Sequence, residues 1–208
     1  MKTTKKILQM AMAIMVTAVI FNGCQKDGGG TPQSGLFDGK ISATIDNSSE
    51  VPSIVTRVVA WNNLGSDGGY LTGNQLADAV AYSGGSFTVT LPNPLPSGMR
   101  SVTVKQLFED ILEIEGKPKY SDPNVRLFDV DFLAFNTGFT QLPGYFVQVS
   151  SDKKMECWYV YADGDVTVTG GSNLSVSFGQ GWNRLYLSQK LITTKAQSGM
   201  KWYFSDEF

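Results

Sequence analysis

The 208-residue chain contains no histidine and only two cysteines, Cys24 and Cys157. Without histidine, the commonest general base near neutral pH and the commonest zinc ligand are missing, which excludes His-dependent triads and most catalytic metal sites. Two cysteines cannot build a disulfide framework. Basic charge is also scarce, with 17 Lys+Arg against 19 Asp+Glu. Nucleic acid is therefore not expected as a partner, because a basic face supplies most of that affinity. The N-terminal apolar run, Ile7 to Phe21, is shorter than the roughly 20 residues a spanning helix needs.

Lys2, Lys5 and Lys6 lead into that run, and it stops at Asn22-Gly23-Cys24. A basic start, a short apolar core and a small residue before a cut make the pattern of a cleaved export signal. The competing reading is a retained single-pass anchor with an unmodified Cys24. The segment resembles a bacterial lipoprotein signal, which implies that Cys24 is lipidated and becomes the mature N-terminus. It departs from that pattern at Phe21, where such signals usually carry an aliphatic residue. Gln25-Lys26-Asp27 resembles the export tag of Bacteroidota-type outer-membrane surface lipoproteins. That resemblance implies a lipid-anchored location at the outer membrane, on its cell-surface or periplasmic face. Two acyl chains anchor stably where one is marginal. The Gly-rich stretch Gly28-Gly29-Gly30-Thr31-Pro32 then reads as a flexible tether. Residues 1–23 are thus expected to be the leader, 24–35 the lipidated Cys and tether, and 36–208 a single domain. Losing the leader removes three Lys and leaves 14 Lys+Arg against 19 Asp+Glu, a net charge of −5.

Beyond the tether, period-two alternation dominates. Phe37, Gly39, Ile41, Ala43 and Ile45 alternate with Asp38, Lys40, Ser42 and Thr44, a half-buried strand with one wet face. Ile54 to Trp61 is apolar on both faces and reads as a central strand. Leu76 to Tyr82 and Ser86 to Leu91 flank Ser83-Gly84-Gly85 and predict a hairpin. Gly85-Ser86-Phe87-Thr88-Val89-Thr90-Leu91-Pro92 resembles a strand of transthyretin-like and carboxypeptidase-regulatory-like sandwiches. One segment breaks the pattern: Val104, Leu107, Phe108, Ile111 and Leu112 fall at helical spacing behind a Thr103/Gln106 capping box. This predicts an amphipathic helix over about 103–115, with Glu109, Asp110, Glu113 and Glu115 outward. Strands then resume. Val125 to Asn136 puts Phe128, Val130, Phe132 and Ala134 on one face and Asp129, Asp131, Leu133 and Phe135 on the other. Val166 to Thr169 and Leu174 to Phe178, around Gly170-Gly171-Ser172-Asn173, predict a second hairpin. With one helix and no strand–helix alternation, the expected fold is mainly β, an antiparallel two-sheet β-sandwich with one inserted helix.

Candidate sites are few. Asp129 and Asp131 share a strand face at a spacing that suits a carboxylate pair, or simply a wet sheet face beside a loop. Asp163-Gly164-Asp165 and Asp67-Gly68-Gly69 offer oxygen to a cation but lack the ligand count of a calcium loop, so tight turns are expected. Cys157 sits in an aromatic strand and reads as a buried small hydrophobe with no histidine to activate it. Trp182, Arg184 and Tyr186 alternate with Leu185 and Leu187. If the leucines face the core, the other three form an outward aromatic ledge suited to stacking on sugar rings or meeting a protein. In the alternative, Trp182 packs inside, as Trp61 and Trp158 are expected to do. The expected role is a non-catalytic surface binding module, for glycan, with no cofactor and no metal. The alternative is a structural, assembly or adhesin-type subunit that binds another protein through a sheet edge or loops.

Overall fold

Alternation of apolar and polar residues along short strands builds two sheets in the computed structural model, which describes residues 35–63, 74–112, 114, 117–170 and 174–207. The leader, Cys24, the tether, Asp67-Gly68-Gly69, Glu113, Glu115 and the turn at 171–173 lie outside the described residues. In chain order the strands are β1 (Lys40–Thr44), β2 (Arg57–Asn62), β3 (Asn74–Gln75), β4 (Val80–Ala81), β5 (Ser86–Thr90), β6 (Val102–Thr103), β7 (Lys119–Tyr120), β8 (Arg126–Phe135), β9 (Gly144–Ser150), β10 (Met155–Ala162), β11 (Val166–Gly170), β12 (Leu174–Phe178), β13 (Gly181–Ser188), β14 (Ile192–Thr193) and β15 (Met200–Ser205). The fold is a mainly antiparallel β-sandwich with a short helical segment at Val104–Ile111 and, among the described residues, a 3-10 turn at Ser48–Glu50. The larger sheet runs β3-β2-β8-β9-β10-β13-β14-β12-β11-β7, and β1 and β5 form a separate two-stranded ribbon.

The ribbon has the one wet face its sequence predicts. Ile41 and Ala43 are buried while Lys40, Ser42 and Thr44 are exposed. Its apolar face closes a first core against Phe132, Phe146, Tyr159, Trp182 and Trp202 of the large sheet. On the opposite face of β8, β10 and β13, Leu127, Val160 and Leu185 meet Val166, Val168, Val176 and Phe178. The large sheet makes this second core by folding over itself at β14, which pairs antiparallel with β13 and parallel with β12. The central strands are therefore covered on both faces, and burying each large apolar side chain there contributes about 1.5–3 kcal/mol.

Three local expectations change. The helix is shorter than the 103–115 segment, with an α-turn at Val104–Gln106 widening into a π-turn at Leu107–Ile111. Its start is as predicted: Gln106 N–H donates to Thr103 Oγ1 at 3.1 Å and Thr103 N–H to Gln106 Oε1 at 2.9 Å. Among the described residues it closes with Leu112 N–H donating to the Leu107 carbonyl at 2.8 Å. The hairpin around Ser83-Gly84-Gly85 is replaced by a crossover. Ser83 and Ser86 do exchange backbone bonds of 3.1 Å across the turn. Yet β4 pairs with β2 in the large sheet while β5 pairs with β1 in the ribbon. Gly84 and Gly85, at φ 59° and 74°, supply the left-handed backbone that turns the chain between layers. The central strand expected from Ile54 starts later, at Arg57, and Ile54 is 45 % exposed. The second hairpin forms as predicted, with Val166 opposite Phe178 and Gly170 opposite Leu174.

At the middle of the large sheet, β8, β9 and β10 each pair with the other two. β8 pairs with β10 over Leu127–Val130 and with β9 over Phe132–Ala134, and β9 reaches β10 at Glu156–Cys157. Asp131, Val147 and Trp158 fall between these ladders, on the face turned away from the ribbon.

Candidate functional site

Three residue pairs cross the first-core face of β10 and β13: Tyr161 with Trp182, Tyr159 with Arg184, and Cys157 with Tyr186. This row runs from a closed end to an open one, so the ledge predicted from Trp182, Arg184 and Tyr186 is not a flat exposed surface. Trp182 is 1 % exposed and Tyr186 5 %. The indole Nε1–H of Trp182 donates to the Pro92 carbonyl at 2.8 Å, and its ring meets Tyr161 edge-on at 5.5 Å. Gly39, at φ 80°, lies against that indole, and a Cβ there would come within 3.2 Å of the ring. The reason for the correction is that alternation tells which residues share a face, not whether the face is covered. Both faces of β13 are covered.

Arg184 and Tyr186 instead line a cleft of about 380 Å³ between the ribbon and the large sheet. Its walls come from β1 (Lys40, Ser42), β9 (Gln148), β10 (Tyr159) and the stretch around Gln197 to Trp202. The half-buried guanidinium of Arg184 lies 4.4 Å from the Phe37 ring centroid and 5.9 Å from that of Tyr159. Phe37 is held there because the segment before β1 adds to the edge of β13, with Arg184 N–H donating to the Gly35 carbonyl and Phe37 N–H to that of Trp182, each at 3.0 Å. Such cation–ring contacts favour a guanidinium that has lost part of its water. Among the described residues, no carboxylate lies within ion-pair distance of Arg184. Tyr159 O–H donates to Gln148 Oε1 at 2.7 Å and stacks on Trp202 at 5.7 Å. Burial pushes the Tyr159 and Tyr186 hydroxyls up, Arg184 opposing it in both cases, so both stay neutral donors. Burial likewise pushes the Cys157 thiol up to about 12, which makes it an inert apolar side chain as expected.

The other face of the same strands holds carboxylates. Asp129 and Asp131 share it, as the sequence predicts. Asn62 Nδ2 and the Asn63 N–H each donate to Asp129 Oδ1 at 3.0 Å, tying that carboxylate to the end of β2. Asp131 sits at the strand junction, where burial and the charges of Asp129 and Glu156 hold its pKa well above the usual carboxylate range. Burial raises Glu156 to about 7, against an opposing hydrogen bond from Trp158. Among the described residues, no group of three or more Asp, Glu, Cys or His is placed to hold a metal ion. Asp163 and Asp165 are turn residues, since Asp163 Oδ1 accepts from Arg126 N–H at 2.8 Å and Asp165 Oδ1 from Gln180 N–H at 2.7 Å. Trp61 and Trp158, expected in the core, are half-buried, Trp158 against the second core.

Lys40, Gln148, Tyr159, Gln197 and Trp202 were not singled out by the sequence, because they come from segments up to about 160 residues apart. One signal was available. Gln148 and Arg184 are polar residues at positions whose strand neighbours on the same face, Phe146 and Trp182, are buried and apolar. Among the described residues, no helix is long and apolar enough to cross a membrane. Comparison with protein-family models, with curated proteins and with solved structures finds no match to this chain.

Proposed function

We propose that the chain is a membrane-anchored surface lipoprotein, acylated at Cys24, whose domain is a non-catalytic binding module for glycan and holds its ligand in the cleft beside Arg184. The observation that carries this reading is the cleft's lining. It brings the Arg184 and Lys40 cations and the Gln148 and Gln197 amides together over a wall made by the buried Tyr159 and Trp202. Sugars are recognised by polar groups placed to fix their hydroxyls in a preformed concave site. The β-rich scaffold places these groups on rigid strands, as a preorganised site requires.

The test is retention of the full-length chain on a glycan array, wild type against Lys40→Ala combined with Gln197→Ala. Lys40 is exposed, Gln197 half-buried, and neither belongs to a core, so the variant is expected to lose retention with little change in melting temperature. Equal retention by the variant contradicts the cleft as the site. Mass spectrometry of the matured protein checks the anchor separately: diacyl or triacyl mass on Cys24 is expected, and an unmodified sulfur or an intact leader overturns it.

The assembly-subunit reading keeps one observation of its own. Phe139, 50 % exposed, sits at the tip between β8 and β9 with φ 55°. A bulky residue pays strain in that region of backbone space. Asn136 holds the tip in place, its Oδ1 accepting from Thr140 N–H at 2.9 Å. A rigidly presented aromatic ring is a protein-contact device. On this reading a pull-down from native membranes yields one stoichiometric partner, and Phe139→Ser loses it.

A further inference from the structure

Glycan recognition requires a polar cleft but not a charged one, and this cleft is charged with one sign. Lys40 and Arg184 line it, and among its described lining residues there is no Asp or Glu. That local excess stands against a chain whose acids outnumber its bases, 19 to 17. It is therefore not an overflow of general positive charge.

The two cations are held differently. Lys40 is on the wet face of β1 and exposed. Arg184 is half-buried, packed against Phe37 at 4.4 Å, and its neighbours are neutral: Tyr159, Tyr186 and Cys157 all keep their protons, burial raising each pKa. Removing a guanidinium from water without a counter-ion is costly, and an anion brought by a ligand offsets that cost. The guanidinium edge is a planar fork that matches a planar carboxylate with two parallel hydrogen bonds. Gln148, whose oxygen is taken by the Tyr159 hydroxyl at 2.7 Å, retains its amide nitrogen as a further donor.

We propose that the cleft selects a sugar that carries a carboxylate, a uronic-acid-type ring, with Arg184 as the partner of that carboxylate and Lys40 as a second cation at the rim. The proposal rests on the glycan reading above and names its ligand class. Tyr159 and Trp202, stacked at 5.7 Å and buried, form the rigid back wall of the cleft, and Gln148 and Gln197 supply amides for hydroxyls.

The experiment is calorimetric titration of the full-length chain with three oligosaccharides of equal length: one containing glucuronate, its neutral glucose counterpart and a sulfated counterpart. Preference for the glucuronate ligand is expected, weakened by added salt and reduced about ten- to hundred-fold in Arg184→Gln, the loss typical of a charge-assisted hydrogen bond. Arg184→Lys, which keeps the charge and loses the fork, is expected to recover only part of the affinity. Lys40→Ala, at an exposed position, keeps the test available if the Arg184 variants do not fold, with a smaller loss and a shallower salt dependence expected. Equal affinity for the glucuronate and neutral ligands, or preference for sulfate, overturns this proposal and leaves the glycan reading standing. Binding of none of the three overturns both.

Discussion

On one face of the central strands Arg184 lies between Phe37 and Tyr159 beside an open cleft, whereas on the opposite face Asp129, Asp131 and Glu156 crowd a strand junction. The two faces handle charge in different ways. The guanidinium cannot give up its proton at ordinary pH, so the fold surrounds it with rings and leaves it beside a cleft. The carboxylates can be neutralised, and burial moves Asp131 and Glu156 toward that outcome. A buried acid solves its desolvation by binding a proton, but a buried arginine needs a ring or an anion. The face carrying the arginine is the one proposed to hold ligand.

The largest expected effect concerns the closed end of the row. Trp182→Ala is expected to cost about 3–5 kcal/mol in urea denaturation, the loss typical of a large aromatic removed from a packed core. A loss below about 1 kcal/mol would mean that Trp182 lies at a surface after all. The acidic face makes the next prediction. Glu156 releases its proton near 4.5 when unfolded and near 7 when folded, so between those values the folded state binds more protons. Its contribution is complete below about 4.5 and is lost as pH rises through about 7, and Asp131 acts in the same direction. Glu156→Gln is expected to flatten that part of the stability–pH curve by on the order of 2 kcal/mol. Identical wild-type and variant curves would contradict the burial of this carboxylate. Thr103→Ala removes the capping box and is expected to cost about 1 kcal/mol, read from the urea midpoint. The smallest effect is chemical. The Cys157 thiol is buried with its pKa at about 12, so it should stay silent to a thiol reagent at pH 8 until denaturant is added. An acylated chain then shows one thiol on unfolding and none before.

Much of the architecture was legible because its signals are local. The wet face of β1, the β11–β12 hairpin, the capping box at Thr103 and the division of β8 into two faces all follow from residues within a few positions of one another. The crossover after Ser83 was not legible, since the choice between pairing with Leu76–Tyr82 and pairing with β1 depends on strand edges more than 40 residues away. The ledge failed for a related reason. Leu185 and Leu187 marked one apolar face of β13 correctly, and nothing local says that β1 and β5 cover the other. Of the three residues singled out there, Arg184 and Tyr186 line the cleft and Trp182 seals its closed end. The clue that a burial argument could have used was Arg184 itself, a charged residue in a strand otherwise rich in large apolar side chains.

Hydrogen–deuterium exchange of the full-length chain with and without saturating glucuronate oligosaccharide tests the cleft most directly. Protection confined to the amides of Lys40–Thr44 and of residues 196–200 is the predicted result. Protection at residues 136–141 around Phe139, or no protection anywhere, would contradict it.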